Sequence, residues 1–408
     1  MKKSFLFLSI FLLTFTSANA KSWTVEEVKT IITNVNDTWQ RNHPKQERSF
    51  WDPAVYHTGN MEAYALLKNE AWRKYSTDWA EQNKWMGARE TDQSKWKYKN
   101  YGEGMDFVLF GDWQICFQTY LDLYFTAKGY DYSVPLKKAK NTYASMRQKA
   151  SPVATMEMSP EDYYVQRALD VMGYEVKSGK DDYWWWADAL YMVMPVFTKL
   201  YRLTGDEAYL DQMYRNWKYS NSIMYDDETG LYFRDGKYVY PKHKTAAGKK
   251  DFWARGDGWV MAAFAKVLKD MPKNYKHRKE IIAYYKKMAA GIKPLQQEEG
   301  YWTRSMADPD QAPGRETSGT ALFCYGLLWG INNGYLPAKE YMPVAQKAWD
   351  YLATIALQDD NTVGYVQPIG EKAIPGQVVN SRSTSNFGTG AFLLAACEYT
   401  RYLQIKKK

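Results

Sequence analysis

Cysteine and histidine are both scarce in this 408-residue sequence, which contains three of the first and four of the second. Cys116, Cys324 and Cys397 each lie in an apolar stretch with helical spacing. An odd number of cysteines at such positions predicts buried free thiols and excludes a disulfide framework. No two histidines have the spacing of metal ligands, so no metal site is expected.

A strong charge of either sign is also missing. The formal net charge is +8, and Lys2 and Lys3 carry two of these charges, which leaves +6 for the rest of the chain. Basic residues are scattered among acidic ones, a pattern that argues against nucleic-acid binding. A small anionic substrate suits the mild excess of positive charge. P-loop, dinucleotide-binding and nucleophile-elbow motifs are absent.

Apolar runs long enough to span a bilayer are absent beyond the N-terminal segment. Residues 1–20 combine Lys2 and Lys3 with an apolar run over 5–15 and small residues at 18–20. This is the pattern of a secretory signal peptide, and no cysteine follows the cleavage site to carry a lipid. The sequence therefore predicts export to the periplasm or out of the cell, without membrane association.

Aromatic residues, in contrast, are abundant, with 17 Trp and 34 Tyr. The densest cluster is the segment YWWWADALYM at residues 183–192, in which Asp188 follows three tryptophans and opens an apolar helical run. Burial among aromatic rings would raise the pKa of this carboxyl and suit it to acid catalysis. The alternative is a helix-capping aspartate at the start of a buried helix.

Two kinds of helical pattern alternate along the chain. Amphipathic stretches cover residues 25–41, 69–83, 134–149, 206–224, 277–292 and 339–357, and nearly all-apolar stretches begin at 59, 111, 188, 256, 318 and 388. Six half-exposed and six buried helices form six hairpins. We expect an all-α (α/α)6 barrel in one domain over residues 21–408. An open α-solenoid is the alternative to the barrel. Short strand patterns occur only at residues 232–240 and 364–369.

In such a barrel the inner helices begin at one end, and the long loops before them gather there. Their first residues should therefore converge on one pocket, with positive helix ends that favour anions. Asp112, in FGDWQ at residues 110–114, has the same position on its helix as Asp188 has. Two such acids can differ in pKa and act as one acid and one stabilising anion. Ser318 begins another inner helix.

The segment FWARGDGW at residues 252–259 is a second candidate for ligand binding. Arg255 lies between Trp253 and Trp259, where its planar guanidinium could grip a carboxylate with two hydrogen bonds. The adjacent glycines would let the backbone approach a ligand. A structural pair of Arg255 with Asp257 is the alternative. His57 is a weaker candidate.

Four segments together resemble glycoside hydrolase family 105, the unsaturated rhamnogalacturonyl hydrolases, which are related to the unsaturated glucuronyl hydrolases of family 88. They are WWADALYM (185–192), FWARGDGW (252–259), ETSGTALF (316–323) and NFGTGAFLL (386–394). The resemblance covers essentially the whole mature chain and implies the (α/α)6 barrel. It also implies removal of a 4,5-unsaturated galacturonyl or glucuronyl residue from the non-reducing end of lyase-generated oligosaccharides, such as those from pectin rhamnogalacturonan.

The resemblance further implies a hydration reaction in which an aspartate protonates C4 of the vinyl ether and water adds at C5. Carried over by motif, the catalytic residues are Asp188 and Asp112, and no metal or cofactor takes part. The substrate-binding residues would be Trp185, Trp186, Trp253, Arg255, Asp257, Trp259, His57 and Ser318. The family often has Asn where Asp257 stands. Another barrel glycosidase, a polysaccharide lyase and a non-catalytic glycan-binding protein are the alternatives.

Overall fold

A computed structural model describes residues 21–99, 101–129 and 160–407 of the chain. The predicted signal peptide (1–20) and the amphipathic helix predicted for 134–149 lie outside these residues. None of the described helices is long and apolar enough to cross a membrane. The three cysteines are free and buried, as the sequence predicts.

Alternating helices in the described residues form an inner and an outer layer. The inner helices are α2 (Trp51–Leu67), α4 (Gly111–Gln114) continued by α5 (Cys116–Ala127), α7 (Ala187–Thr204), α9 (Ala254–Asp270), α11 (Thr317–Asn332) and α13 (Asn386–Lys406). The outer helices are α1 (Val25–Asn42), α3 (Glu70–Gln82), α6 (Pro160–Ser178), α8 (Ala208–Met224), α10 (Arg278–Ile292) and α12 (Ala338–Tyr351).

The inner helices close into a ring. In chain order α2 packs on α5, α5 on α7, α7 on α9, α9 on α11 and α11 on α13, and α13 returns to α2. Outer helices α8, α10 and α12 each pack on the inner helix that precedes them. This closure confirms the (α/α)6 barrel and excludes the open solenoid, in which the first and last repeats would not meet.

Small residues let the inner helices approach closely. A Cβ on Gly59 would lie 2.3 Å from the carbonyl oxygen of Gly390, so α2 and α13 meet where neither has a side chain. A Cβ on Gly258 would similarly lie 3.2 Å from Gly319 Cα, between α9 and α11. Gly258 therefore serves helix packing, and the sequence-based suggestion that it admits a ligand is wrong.

The hairpin turns follow their sequence signals. α7 ends at Gly205, whose φ of 67° lies in the left-handed region that glycine adopts readily. Asp206 then accepts a hydrogen bond from the backbone N–H of Ala208 at the start of α8. This short link over residues 203–206 makes α7 and α8 antiparallel neighbours.

Three expectations about local structure are wrong. The first inner helix begins at Trp51 and not at 59, because Pro53 lies in the first turn, where a missing N–H costs nothing. One of the long loops expected before the inner helices, over residues 147–182, contains α6. The residues with strand patterns form no β-ladder among the described residues. Isolated β-bridges occur in or near them, and these join Tyr225 with Tyr232, Trp186 with Asp235 and Leu357 with Val363.

Short helical turns complete the described elements. They are the 3-10 turns Gln93–Lys95, Lys293–Leu295 and Pro309–Gln311 and the π turn Leu352–Ala356, which follows α12 directly. All four lie in connections that run toward the N-terminal ends of inner helices. The irregular backbone is therefore concentrated at the end of the barrel where the candidate site lies.

Candidate active site

The two aspartates expected to do chemistry both lie in the first turns of inner helices. Asp188 is the second residue of α7, and Asp112 is the second residue of the four-residue helix α4. α4 packs against α7 at Gly111, where a Cβ would lie 3.1 Å from Val193. The structure therefore brings Asp112 and Asp188 together, at a distance where the charge of one affects the other.

Each of the two aspartates has one carboxylate oxygen without a hydrogen-bond partner among the described residues. Asp188 is 8% exposed, and its Oδ2 has no hydrogen-bond partner within the described residues. The same holds for Oδ1 of Asp112. Burial raises the pKa of Asp188, and nearby Arg234 and Arg255 oppose that rise. Burial and the charge of Asp188 raise the pKa of Asp112 well above its ordinary value.

Arg234 completes this group, and the sequence analysis missed it. Its Nε lies 3.6 Å from Oδ2 of Asp188, and its Nη1 donates to Oδ2 of Asp235 over 2.7 Å. Nη1 also reaches Oε2 of Glu371 at 3.4 Å. The sequence offered one signal for Arg234, an Arg-Asp-Gly turn in a long loop before an inner helix. We interpreted this turn as part of the short strand pattern over residues 232–240.

Main-chain hydrogen bonds hold Arg234 in place. The backbone N–H of Ala187 donates to the carbonyl of Arg234 over 2.8 Å. The backbone N–H of Tyr232 donates to Oδ1 of Asp257, also over 2.8 Å. The segment that carries Arg234 is thus fastened to the first turns of both α7 and α9, which fixes its guanidinium relative to Asp188.

Tryptophans line one side of the group. Trp185 is half-buried, and the guanidinium of Arg234 lies 5.7 Å from its ring centroid. Trp186 caps α7 and packs on Phe110, with 5.2 Å between ring centroids. These two residues lie beside the acids, where an aromatic wall for a sugar ring was expected.

The two other tryptophans differ in depth. Trp253 caps α9 and donates from Nε1 to Oε1 of Gln367, so it borders the site. Trp259 is 1% exposed, lies more than one turn into α9 and packs against Tyr191 at 4.8 Å. The structure therefore places Trp259 in the barrel core and not on the wall of the site, contrary to the expectation for this residue.

Arg255 is engaged by the main chain. Nη1 donates to the carbonyl of Gln367 over 2.5 Å and Nη2 to that of Pro368 over 2.9 Å. Its guanidinium lies between Trp253 and Phe387, 4.7 and 4.8 Å from their ring centroids. Burial lowers the pKa of Arg255 to about 10. These bonds make Arg255 a residue that holds the loop at 367–370, and the bidentate grip on a carboxylate expected of Arg255 stays a prediction.

Asp257 does not pair with Arg255 within the described residues. It is fully buried, accepts from the Tyr232 backbone through Oδ1 and leaves Oδ2 without a partner. Burial raises the pKa of Asp257 well above its ordinary value. The raised pKa favours the neutral form of Asp257, which resembles the Asn that the family often has at this position.

Ser318 and His57 are each held by another side chain. Ser318 donates from Oγ to Oε1 of Glu316, which also caps α11, so this serine belongs to the helix start. His57 lies inside α2, hydrogen-bonds through Nδ1 to Ser76 and stacks on Trp79 at 4.0 Å. The structure gives both residues structural contacts, and their expected role in substrate binding finds no support in these contacts.

The donor set around the acids is not that of a metal centre. Within the described residues no group of three or more His, Cys, Asp or Glu side chains is arranged to hold an ion. The charged rim instead consists of Glu371, Lys237 and Tyr238, with the Tyr238 hydroxyl donating to Glu371 over 2.7 Å. A buried acid pair, one arginine and aromatic walls are a site for a polar, anionic ring.

Comparison with known proteins agrees with this geometry. The model of the family described as Glycosyl Hydrolase Family 88 matches residues 23–403. The chain belongs to glycosyl hydrolase family 88. A possible member of family 105 from Salmonella enterica, 18% identical over 97% of this chain and 100% of its own, shares the fold with a TM-score of 0.63. The family 105 resemblance is thereby confirmed as one to the combined 88 and 105 group.

Closer relatives of this family 88 chain include enzymes and solved structures. An unsaturated 3S-rhamnoglycuronyl hydrolase from Formosa agariphila is 39% identical over 54% of this chain and 59% of its own length. A second one, from an Alteromonas species, is matched over 51% of its length, so the chain spans little more than half of these curated relatives.

Two solved structures match nearly full length. A family 88 protein from Bacteroides vulgatus is 52% identical, with coverage of 93% of this chain and 100% of its own and a TM-score of 0.83. A protein described as a polysaccharide lyase is 55% identical, with coverage of 93% and 98% and the same TM-score. Both share the fold of this chain over 93% of its length.

Proposed function

We propose that this family 88 protein removes a 4,5-unsaturated galacturonyl or glucuronyl residue from the non-reducing end of oligosaccharides that polysaccharide lyases release. The observation that carries the proposal is the pair of aspartates, buried Asp188 and half-buried Asp112, beside an arginine and a tryptophan wall. Burial raises the pKa of both acids, which suits proton donation near neutral pH. The names of the curated relatives support the same reaction class.

The reaction that fits this site is hydration of the C4=C5 bond. Asp188 donates its proton to C4, and positive charge develops at C5 and the ring oxygen. Water then adds at C5 while the Asp188 carboxylate takes up one of its protons, so the acid is regenerated and one water is consumed. The resulting hemiketal opens, and the rest of the oligosaccharide leaves from C1. Asp112 supplies the second polar group beside the reacting atoms.

The sugar that follows the uronate is a separate part of the proposal. The Formosa and Alteromonas relatives are both named for a rhamnoglycuronyl substrate, which contains rhamnose and a uronate. We therefore propose rhamnose as the preferred neighbour, in fragments of pectin rhamnogalacturonan or of another polymer of rhamnose and uronate. We propose that Trp185, which is half-buried beside Arg234, packs against such a neighbour.

Export of the protein is also a proposal, supported by the leader pattern in residues 1–20. Expression of the full sequence in a Gram-negative host, followed by fractionation and N-terminal sequencing, tests it. A mature protein that begins at Lys21 in the periplasm or medium is expected. Retention of residues 1–20 on a cytoplasmic protein would contradict the proposal.

A panel of unsaturated disaccharides tests the substrate class. The panel consists of fragments released by lyases from pectin rhamnogalacturonan, arabinogalactan and glycosaminoglycan, and the readout is the ultraviolet absorbance of the conjugated double bond. Loss of absorbance with the rhamnose-linked uronate at the highest kcat/KM is the expected result. Equal rates across the panel would refute the rhamnose preference, and binding without any reaction would favour a glycan-binding protein.

A further inference from the structure

Lys266 is a buried cation that lacks a counter-ion among the described residues. It is the thirteenth residue of α9 and is only 5% exposed. Its Nζ makes no hydrogen bond and no ion pair there, and it lies 5.6 Å from the ring centroid of Tyr191. Nζ is not one of the fully enclosed atoms that lack a partner, so a species of the size of water reaches it. The three N–H donors of this ammonium therefore need partners from solution.

Four inner helices contribute the charges that face Lys266. Lys199 lies on α7, Glu62 on α2 and Asp122 on α5, and Lys269 follows Lys266 on α9. Helices α2 and α5 are not the immediate neighbours of α9 in the ring of inner helices. Their carboxylates can face a buried residue of α9 only across the interior of that ring. The ammonium of Lys266 therefore points into the interior of the barrel.

The two carboxylates that face Lys266 are already bonded to other cations. Glu62 accepts a hydrogen bond from Nζ of Lys269 over 2.7 Å. Asp122 accepts one from Nζ of Lys199 over 2.5 Å. Lys199 and Lys269 in turn repel the charge of Lys266. Among these described charges, Lys266 is the one left without a bonded counter-ion, and this favours an anion from solution.

This group of charges is separate from the catalytic acids. Lys199 follows Asp188 by eleven residues on α7, which is about 16 Å along the helix axis. Lys266 has the same position on α9 as Lys199 has on α7, because each is the thirteenth residue of its helix. The group therefore lies toward the C-terminal ends of the inner helices, away from the loop-rich end that carries Asp188.

Lys266 carries its charge at neutral and mildly acidic pH. Burial and the charge of Lys199 lower the pKa of Lys266 to about 8, Glu62 and Asp122 oppose this shift, and Lys269 adds to it. Below pH 8 the folded protein therefore holds a poorly solvated ammonium. A bound anion relieves this cost because it replaces the lost hydration with a charge of opposite sign.

The surroundings of Lys266 limit the kind of anion. Because the side chain is 5% exposed, an organic acid or an oligosaccharide is too large to reach Nζ. A single ammonium is a point charge and lacks the paired donors that select carboxylate or phosphate groups. We propose that the interior of the barrel binds one small monovalent inorganic anion, such as chloride, on the ammonium of Lys266, and that this ion stabilises the folded protein.

The width of the chloride-35 nuclear resonance measures this binding directly. Purified protein at pH 6.5 is titrated with chloride in sodium gluconate, whose bulky anion holds the ionic strength constant. Wild type should broaden the resonance saturably, because a bound ion tumbles with the protein. Lys266→Met, which keeps the chain length and removes the ammonium, should lose most of this broadening. Lys286→Met, the same substitution at an exposed position of outer helix α10, should keep it.

Thermal unfolding gives a second readout. Raising chloride from about 1 to about 300 mM at constant ionic strength should raise the unfolding temperature of wild type by about 2 °C, because the ion binds only the folded state. Lys266→Met should show no chloride-dependent shift. In low chloride it should unfold at the wild-type temperature or above it, since it no longer buries an unpaired charge. Lys266→Gln, which is neutral and polar, answers the same question if Lys266→Met does not fold.

The outcomes decide the inference without reference to hydrolase activity. Saturable binding by wild type and Lys286→Met that is lost in Lys266→Met would support it. Equal broadening by wild type and Lys266→Met would overturn it by placing the ion elsewhere. Equal effects of chloride and gluconate on the unfolding temperature would overturn it as well, because such a response is salt screening alone. No broadening with wild type would show that Lys266 binds no chloride.

Discussion

The side-chain amide of Gln114 donates a hydrogen bond to the carboxylate of Glu175 over 2.9 Å, which links a fully buried acid to the helix that carries Asp112. Asn216 donates to the other oxygen of Glu175 over 2.8 Å. Burial outweighs these two bonds and raises the pKa of Glu175 from 4.5 to about 7. An acid of this kind between α4, α6 and α8 makes the stability of the barrel depend on pH.

Glu175→Gln should remove that dependence. A carboxyl whose pKa is raised on folding stabilises the protein below about pH 4.5, and this stabilisation is lost as pH rises toward 7. At pH 8 the variant should therefore be more stable than wild type by roughly 3 kcal/mol, and near pH 4 the two should agree. Urea unfolding at both pH values measures this, with the exposed Glu26→Gln as control. A constant difference between the two pH values would contradict it.

Asp188→Asn should nearly abolish turnover and retain the affinity for the substrate. Asparagine has the size of the carboxyl but cannot donate an acidic proton, so kcat should fall by about 10²- to 10⁴-fold. The affinity for an unsaturated disaccharide, measured by calorimetry, should stay within about threefold. Asp211→Asn, which changes the same residue type in the first turn of outer helix α8, should leave kcat unchanged. Turnover near wild type in Asp188→Asn would refute the acid role.

Asp112→Asn should lower kcat less than Asp188→Asn does. Because burial and the charge of Asp188 raise the pKa of Asp112 and favour its neutral form, asparagine replaces it with a neutral group of the same shape. A loss of about 10- to 100-fold is expected from the missing hydroxyl proton alone. Single-turnover kinetics of the two variants under identical conditions measure the difference. Equal or greater loss in Asp112→Asn would instead make Asp112 the acid.

Asp257 gives a matched pair of substitutions. Asp257→Asn should keep the acceptor for the Tyr232 backbone N–H and leave activity within about twofold of wild type. Asp257→Ala should leave that N–H unpaired in a buried position, at a cost of about 1–3 kcal/mol, and lower kcat/KM because Arg234 follows Tyr232 by two residues. Thermal unfolding and steady-state kinetics test both variants. Equal behaviour of the two would show that the bond to Tyr232 is unimportant.

His57→Phe should affect stability and not substrate affinity. Phenylalanine preserves stacking on Trp79 but loses the bond to Ser76, which should cost about 1–3 kcal/mol. Burial lowers the pKa of His57 to about 3, so its stabilising contribution is present above about pH 6.5 and is lost as pH falls. The variant should therefore lose less stability on acidification. A raised KM with unchanged unfolding free energy would restore the binding role first expected for His57.

The barrel and both acids could be predicted because they depend on local patterns. Helical spacing marks the inner and outer helices, and an acid in the first turn of an inner helix must lie at the loop-rich end of the barrel. This reasoning places Asp188 and Asp112 correctly. It fails for Trp259, which shares a segment with Trp253 but lies more than one turn further into α9. Closeness in sequence does not show how far into the barrel a helical residue lies.

Arg234 could not be found in this way. Its position depends on contacts with Ala187 and Asp257, which come from two different inner helices and are distant in sequence. Arg255, which has the more prominent sequence context, is instead occupied by carbonyls of a loop more than 100 residues away. Only the assembled barrel shows that Arg234 lies beside Asp188 and that Arg255 donates to carbonyls of this loop.

The most direct test of the central claim follows the ultraviolet absorbance of a rhamnose-linked unsaturated disaccharide with purified wild type, while chromatography follows release of rhamnose. Hydration at the C4=C5 bond predicts loss of absorbance in step with rhamnose release, and neither change with Asp188→Asn. Rhamnose release with the absorbance of the double bond retained would identify a conventional glycosidase. A rise in absorbance on the intact polysaccharide would identify a lyase, and either result would contradict the proposed reaction.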